Sequence, residues 1–124
     1  MPGEEIFISL FSAIISAKAF HYRTTAYGKH KACDSFIENF IELTDRFLEC
    51  YQGKYGRIKF ESGTENLPFF VITDTNSKKF IDDQIKMLHS ELPALINGDD
   101  VDLYNLRDEM ISELNQFSYL LTFR

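Results

Sequence analysis

Apolar residues recur at helical spacing along most of the chain, beginning with the run from Ile6 to Phe20. Pro2 and the two acidic residues that follow Gly3 suit the first turn of a helix. The apolar side of this first helix is one stripe that ends on a histidine: Phe7, Leu10, Phe11, Ile14, Ala17 and His21. The polar stretch 22–29 breaks the pattern and predicts a short connection.

The second helix is predicted from about Lys29 to Gln52, where Gly53 would stop it. Two stripes run along it instead of one broad apolar face. The first is an ordinary core face made of Cys33, Phe36, Phe40, Phe47 and Tyr51. The second mixes apolar and ligand-forming side chains: His30, Asp34, Ile37, Ile41, Asp45 and Leu48, with Glu49 at its edge. A helix packed on a single core does not need the second stripe, so we expect another surface to cover it.

Two further helices are predicted at residues 77–96 and 101–123, each with one apolar stripe and with an Asn-Gly turn between them. Residues 53–76 lack helical spacing and predict a long crossover, with a small strand pair between residues 57–60 and 69–73. Short turns around one long central crossover indicate an all-α fold, a ferritin-like four-helix bundle.

Composition favours one small globular domain. The 124 residues, 44% of them hydrophobic and including 12 Phe, suffice for one aromatic core but not for two. A net charge of -6, with no basic arm, disfavours direct DNA binding. The first apolar run is interrupted by Lys18 and is too short to cross a membrane, and no signal peptide precedes it. We therefore expect a single domain, residues 1–124, that is soluble and cytoplasmic.

Two pairs of possible metal ligands lie on the second helix. His30 with Asp34, and Asp45 with Glu49, are each four residues apart, so each pair faces one side of the helix. His21, at the end of the first helix, can point toward the same region. Imidazole and carboxylate ligands without a thiolate suit Fe(II), Mn(II) or Zn(II).

The two pairs cannot share one ion within a chain. Asp34 and Asp45 differ in direction by only about 20°, but the helix rises about 16 Å between them. Two copies of this helix packed antiparallel would bring His30 and Asp34 of one copy opposite Asp45 and Glu49 of the other. The sequence therefore predicts a two-fold dimer through the second helix, with a metal site at either end.

The spacing H-x3-D-x10-D-x3-E, with a histidine upstream after an apolar helix, resembles the ferroxidase signature of Dps proteins, the mini-ferritin branch of the ferritin-like superfamily. In that family the equivalent residues bind iron at a two-fold subunit interface. The resemblance implies the metal ligands His21, His30, Asp34, Asp45 and Glu49, with no catalytic residues beyond them. The interval from His21 to His30 is shorter than in Dps proteins. The compact length and the GKYG element at 53–56 also resemble short ferritin-like proteins of phages and large DNA viruses.

The Dps resemblance implies a ferroxidase that oxidises Fe(II) with dioxygen or peroxide, for iron detoxification or storage, in a dimer or a closed shell. Mn or Zn would suit the same ligands. A hypothesis from a different class is a non-catalytic ferritin-like interaction or structural module, such as a viral accessory protein that dimerises through the second helix and could reside in the virion. Protein-dependent ferric absorbance distinguishes the two hypotheses.

Overall fold

Helices account for most of the protein, and no strand occurs in residues 2–61 and 66–123, which the computed structural model describes. They are α1 (Pro2–Arg23), α2 (Tyr27–Tyr55), α3 (Ser77–Lys86) and α4 (Val101–Leu120). A π-helical turn (Met87–Glu91) and a 3₁₀ turn (Leu92–Leu95) continue α3. The predicted all-α class is confirmed. No helix within the described ranges is both long and apolar enough to span a membrane.

The helices pack as two antiparallel hairpins. α1 turns into α2 through the three residues 24–26. The beginning of α3 lies beside the end of α4, where Ser77 and Leu121 line one small cavity. The beginning of α4 meets the end of α2, where Lys54 and Asp100 form an ion pair. α2 is thus antiparallel to α1 and to α4, and the connection from α2 to α3 has to return along the bundle.

That connection is a non-helical strap, defined as residues 57–61 and 66–74, which follows α1 from its first turns to its last. Near the start of α1, Phe60 packs edge-on against Phe7, with 4.9 Å between the ring centroids. The predicted strand pair of residues 57–60 with 69–73 is wrong, because neither segment forms a strand and both pack on α1. Residues 62–65 of the predicted crossover lie outside the described residues.

Two buried serines of α1 hold the second part of the strap. The Ser12 hydroxyl donates a hydrogen bond to the Pro68 carbonyl, and the Phe70 N–H donates to the Ser16 hydroxyl over 3.0 Å. Since an unpaired buried hydroxyl costs free energy, these bonds explain how an apolar helix tolerates two serines under the strap. Side chains of α1 thus provide hydrogen-bond partners for the strap backbone, which a neighbouring strand would provide in a sheet.

The core lies between α1, α2 and α4 and is rich in aromatic rings. Phe36 of α2 stacks on Phe117 of α4 with 4.4 Å between centroids, and on Phe40 with 4.8 Å. The predicted core stripe of α2 is confirmed, since all five of its members are buried. On α1 the stripe is slightly rotated from the prediction, because Phe7 and Phe11 are only half-buried.

The end of α2 differs from the prediction. The helix continues through Gly53 and ends at Tyr55. Gly56 then takes a φ of +91°, a conformation that favours glycine, and its N–H donates to the Gln52 carbonyl over 2.9 Å. Gly53 keeps helical geometry because the residues after it are bound to the start of α4.

Those residues form a polar clamp made of Lys54, Tyr55, Asn97, Asp100 and Asp102. The Tyr55 hydroxyl donates to Asp100, and the Asn97 N–H donates to Asp100 Oδ2 over 3.0 Å. Lys54 Nζ lies 2.6 Å from Asp102 Oδ1 and 3.2 Å from Asp100 Oδ1. The clamp joins the C-terminus of α2 to the N-terminus of α4.

α3 does not remain α-helical to Ile96 as predicted. The Leu92 N–H bonds to the Met87 carbonyl, a π-helical bond, and a 3₁₀ turn follows. Pro93 explains the change, because its nitrogen carries no hydrogen and its ring clashes with the carbonyl four residues earlier, that of His89. The helix therefore passes through one wider, π-helical turn before it ends.

We expect Asp100→Asn to lower the melting temperature at neutral pH, and this loss to shrink in acid. The Tyr55 hydrogen bond holds the pKa of Asp100 below its ordinary value, with further help from Asn97 and Lys54. A carboxylate with a depressed folded-state pKa stabilises the fold above its unfolded pKa, and that contribution is lost as the pH falls through the folded pKa. Thermal melts followed by circular dichroism between about pH 7 and pH 3 measure this dependence. The exposed neighbour Asp99, changed to Asn, is the control, and equal losses for both variants at neutral pH would contradict the role of the clamp.

Candidate metal centre

Two histidines meet where α1 turns into α2. His21 lies in the last turn of α1 and His30 in the first turns of α2, and the link between the helices has only three residues. Their rings stack with 3.8 Å between centroids and an angle of 25° between the planes. His21 is buried and His30 is half-buried. The short interval noted in the sequence therefore brings the two imidazoles into direct contact.

Each imidazole is oriented by the backbone of the other residue. His21 Nδ1 lies 3.2 Å from the His30 carbonyl oxygen, and His30 Nδ1 lies 3.0 Å from the His21 carbonyl oxygen. A carbonyl oxygen only accepts hydrogen bonds, so both Nδ1 atoms must carry the proton. In the neutral rings the lone pair is then on Nε2, which is the state that a metal-ligating histidine needs.

Asp34 completes a group of three. Its Oδ1 lies 3.1 Å from His21 Nδ1, and its side chain is 45% exposed. One metal-ligating atom from each of His21, His30 and Asp34 lies within 4.8 Å of the others. An ion holds nitrogen ligands at about 2.1 Å, so these atoms would have to move closer together to bind one. The group offers three ligand atoms on an accessible side of the bundle.

The other two candidate ligands lie elsewhere on α2. Asp45 and Glu49 are exposed. Along the axis of α2, Asp45 lies about 16 Å beyond Asp34, and Glu49 lies farther still. Between the two groups, Ile37 is half-buried and Ile41 is 36% exposed. The structure thus brings His21, His30 and Asp34 together and leaves Asp45 and Glu49 at the other end of the same helix face. The last apolar member of the predicted second stripe, Leu48, is buried.

The neighbouring thiol does not belong to the ligand group. Cys33 precedes Asp34 but faces the core and is fully buried. Burial, and to a lesser extent the negative charge of Asp34, raises the pKa of the Cys33 thiol to about 12. The thiolate that a metal requires is therefore unfavourable here. The donor set of the corner consists of imidazole and carboxylate only.

Residues outside the predicted set hold this corner in place. Lys29, immediately before His30, pairs with Asp74 of the strap over 2.8 Å, and its side chain is only 19% exposed. Arg23 donates to the Ile72 carbonyl over 3.2 Å. No local sequence pattern connects residues so distant along the chain. The only signal is that a basic residue stands on either side of the α1–α2 link, which indicates that the link has acidic or carbonyl partners elsewhere. The strap thus ties both ends of the α1–α2 link.

The family model described as "Family of unknown function (DUF5856)" matches residues 21–121, most of the chain. The chain belongs to the DUF5856 family. The matched region of DUF5856 begins at His21 and so includes all five candidate ligands. A relative from Enterobacteria phage T4, the "Uncharacterized 14.6 kDa protein in mobD-ri intergenic region", is 32% identical over 105 residues, which cover 82% of this chain and 73% of the relative. No solved structure matches the chain.

Proposed function

We propose that this protein binds Fe(II) between two copies of the chain and oxidises it. His21, His30 and Asp34 of one copy would supply half of the ligands, and Asp45 and Glu49 of the second copy the other half. The observation that carries the proposal is the stacked histidine pair, in which both Nδ1 atoms face carbonyl oxygens and Nε2 of each ring is left as the nitrogen that can bind a metal.

The dimer follows from what each half lacks. A single copy offers two imidazoles and one carboxylate, too little negative charge to favour Fe(III). Antiparallel packing of two α2 helices would add two carboxylates, so the ferric product would be stabilised more than the ferrous substrate. Ile37 and Ile41 would form the apolar centre of this interface between the two metal sites.

The order of the helices supports the ferritin-like version of the bundle. Two antiparallel hairpins are joined by a long connection between α2 and α3, which is the arrangement that places ligands on facing helices in that fold. The likeness to Dps proteins is therefore one of helix order as well as of ligand spacing.

The reaction balances with an oxidant from solution. Each Fe(II) gives up one electron. Two Fe(II) ions with two protons would reduce one dioxygen to hydrogen peroxide, or one hydrogen peroxide to two water molecules. In the chain itself, the backbone carbonyls fix the imidazoles and the carboxylates hold the positive charge that the oxidation creates.

The test compares two histidine variants in air. Wild-type protein with Fe(II) should produce ferric absorbance faster than buffer alone, and His30→Ala should return the rate to that of buffer. We expect the same variant to weaken binding of Zn(II), a redox-inert probe, by at least about 100-fold, because loss of a ligand exceeds the 10- to 100-fold cost of losing a second-sphere contact. The third histidine of the chain, the exposed His89, changed to Ala, is the matched control and should change neither quantity.

Each other outcome selects a different function. Zn(II) binding that depends on His30, without ferric absorbance, would mean a metal-binding protein that does not oxidise iron. If the protein neither binds Zn(II) nor produces ferric absorbance, the proposal is rejected. That result would favour a non-catalytic module that dimerises through α2. The phage relative makes an accessory protein of phage type the most concrete form of that module.

A further inference from the structure

A second candidate surface lies on the side of α1 that faces α3. Three cavities of about 210, 220 and 160 Å³ follow one another between α1, the strap and the helical segment 77–95. Adjacent cavities share walls. Phe70 and Asp83 border the first and second, and Met87 and Glu91 border the second and third. We name this continuous depression the α1–α3 groove.

The groove exposes apolar surface at its strap end. Phe70 is 48% exposed and Val71 is 59% exposed, and both line the first cavity. Exposed apolar side chains that lie side by side can form part of an interaction site. The π-helical turn contributes to the shape, because Met87 and Glu91 are its first and last residues and both form the wall between two cavities. π-helical turns are frequent at functional sites.

Charge differs between the two ends of the groove. At the strap end Lys79 and Asp83 neutralise each other across 2.7 Å. At the opposite end Glu5 and Glu91 line the third cavity, and neither forms an ion pair with another described residue. The groove is thus apolar and neutral at one end and anionic at the other. A complementary partner carries apolar side chains followed by positive charge.

The dimensions favour an extended chain. The lining residues on the α3 side advance by five to six positions from one cavity to the next, which corresponds to roughly 8 Å. Alternate side chains of an extended chain are about 7 Å apart, so successive cavities are spaced to receive them.

We propose that the α1–α3 groove binds an extended segment of another protein, with apolar side chains at alternate positions and Lys or Arg at the end that meets Glu5 and Glu91. The groove lies away from the face of α2 that carries the candidate metal ligands. This inference therefore stands independently of iron oxidation.

The test uses the full chain without metal and a synthetic peptide. Because the protein contains no Trp, a single Trp in the peptide reports binding by its own fluorescence. The probe is a capped peptide of about eight residues, long enough for the groove, in which Leu alternates with Ser, one Leu is replaced by Trp and one end carries two Lys. Two versions place the lysines at either end, because the direction of binding is open. Matched peptides carry Glu in place of Lys.

We expect saturable binding of at least one lysine peptide and none of the glutamate peptides. Glu5→Gln combined with Glu91→Gln should weaken binding about tenfold, as should added salt, since two exposed charge pairs are lost or screened. Val71→Ser should weaken it while preserving the helical circular dichroism spectrum. The matched control, Glu38→Gln with Glu109→Gln, removes two exposed carboxylates outside the groove and should have no effect. Absence of saturable binding, equal binding of both peptide classes, or equal weakening by the control would overturn the proposal.

Discussion

Mixing two inactive variants should restore Fe(II) oxidation. His30→Ala destroys one half of the proposed site, and Asp45→Asn combined with Glu49→Gln destroys the other. A mixed dimer then contains one site with both defects and one intact site. After random exchange half of the dimers are mixed, so about a quarter of the wild-type rate should return. The recovery is measured as the rate of ferric absorbance after the mixed variants are combined with Fe(II) in a stopped-flow instrument, before and after subunit exchange.

The control for this experiment pairs two variants with defects in the same half, His30→Ala and Asp34→Asn. Their mixed dimers contain no intact site and should stay inactive. The physical basis is the rise of about 16 Å between Asp34 and Asp45, which prevents one chain from using both halves on one ion. A mixture that stays at the rate of its parents, in a sample that light scattering shows to be dimeric, would exclude the shared site.

Phe36→Ala should cost about 3–5 kcal/mol of unfolding free energy, the cost of truncating a buried Phe. The Phe36 ring is 2% exposed and stacks on rings from both α2 and α4, so its loss leaves a cavity between the two helices. Urea unfolding followed by circular dichroism gives the free energy. A loss this large would approach the whole stability of many small domains.

Phe123→Ala is the matched control for Phe36→Ala. The same group is removed from a ring that is 50% exposed, and we expect a change of less than about 0.5 kcal/mol. Similar losses for the two variants would contradict the assignment of the α2–α4 contact as the centre of the core.

The helices could be predicted because each has its own local pattern, whereas the details that differ depend on distant partners. The α2 stripe of Phe36, Phe40 and Phe47 is a local property. Gly53 remains helical only because Lys54 and Tyr55 bind the start of α4, a contact absent from the local sequence. The strap was predicted to pair with itself because its residues favour strands, but the serines of α1 offered better partners.

The candidate site could be predicted to a similar extent. Spacing placed His30 and Asp34 on one face and separated them from Asp45 and Glu49. The sequence could not show that His21 and His30 would stack, because the outcome depends on how tightly three residues turn between two helices. The pairing of Lys29 with Asp74 needs the path of the strap, which no local pattern contains.

The reciprocal bonds at the histidine corner also bear on redesign. Each Nδ1 proton is donated to a main-chain carbonyl oxygen, and a substitution changes the side chain but leaves that oxygen in the chain. Replacing His30 by Cys or Glu would therefore leave the anchor of the His21 ring in place, and replacing His21 would leave that of the His30 ring. The preference of this corner for softer or harder cations could thus be changed one ligand at a time, while the remaining imidazole keeps its tautomer and direction.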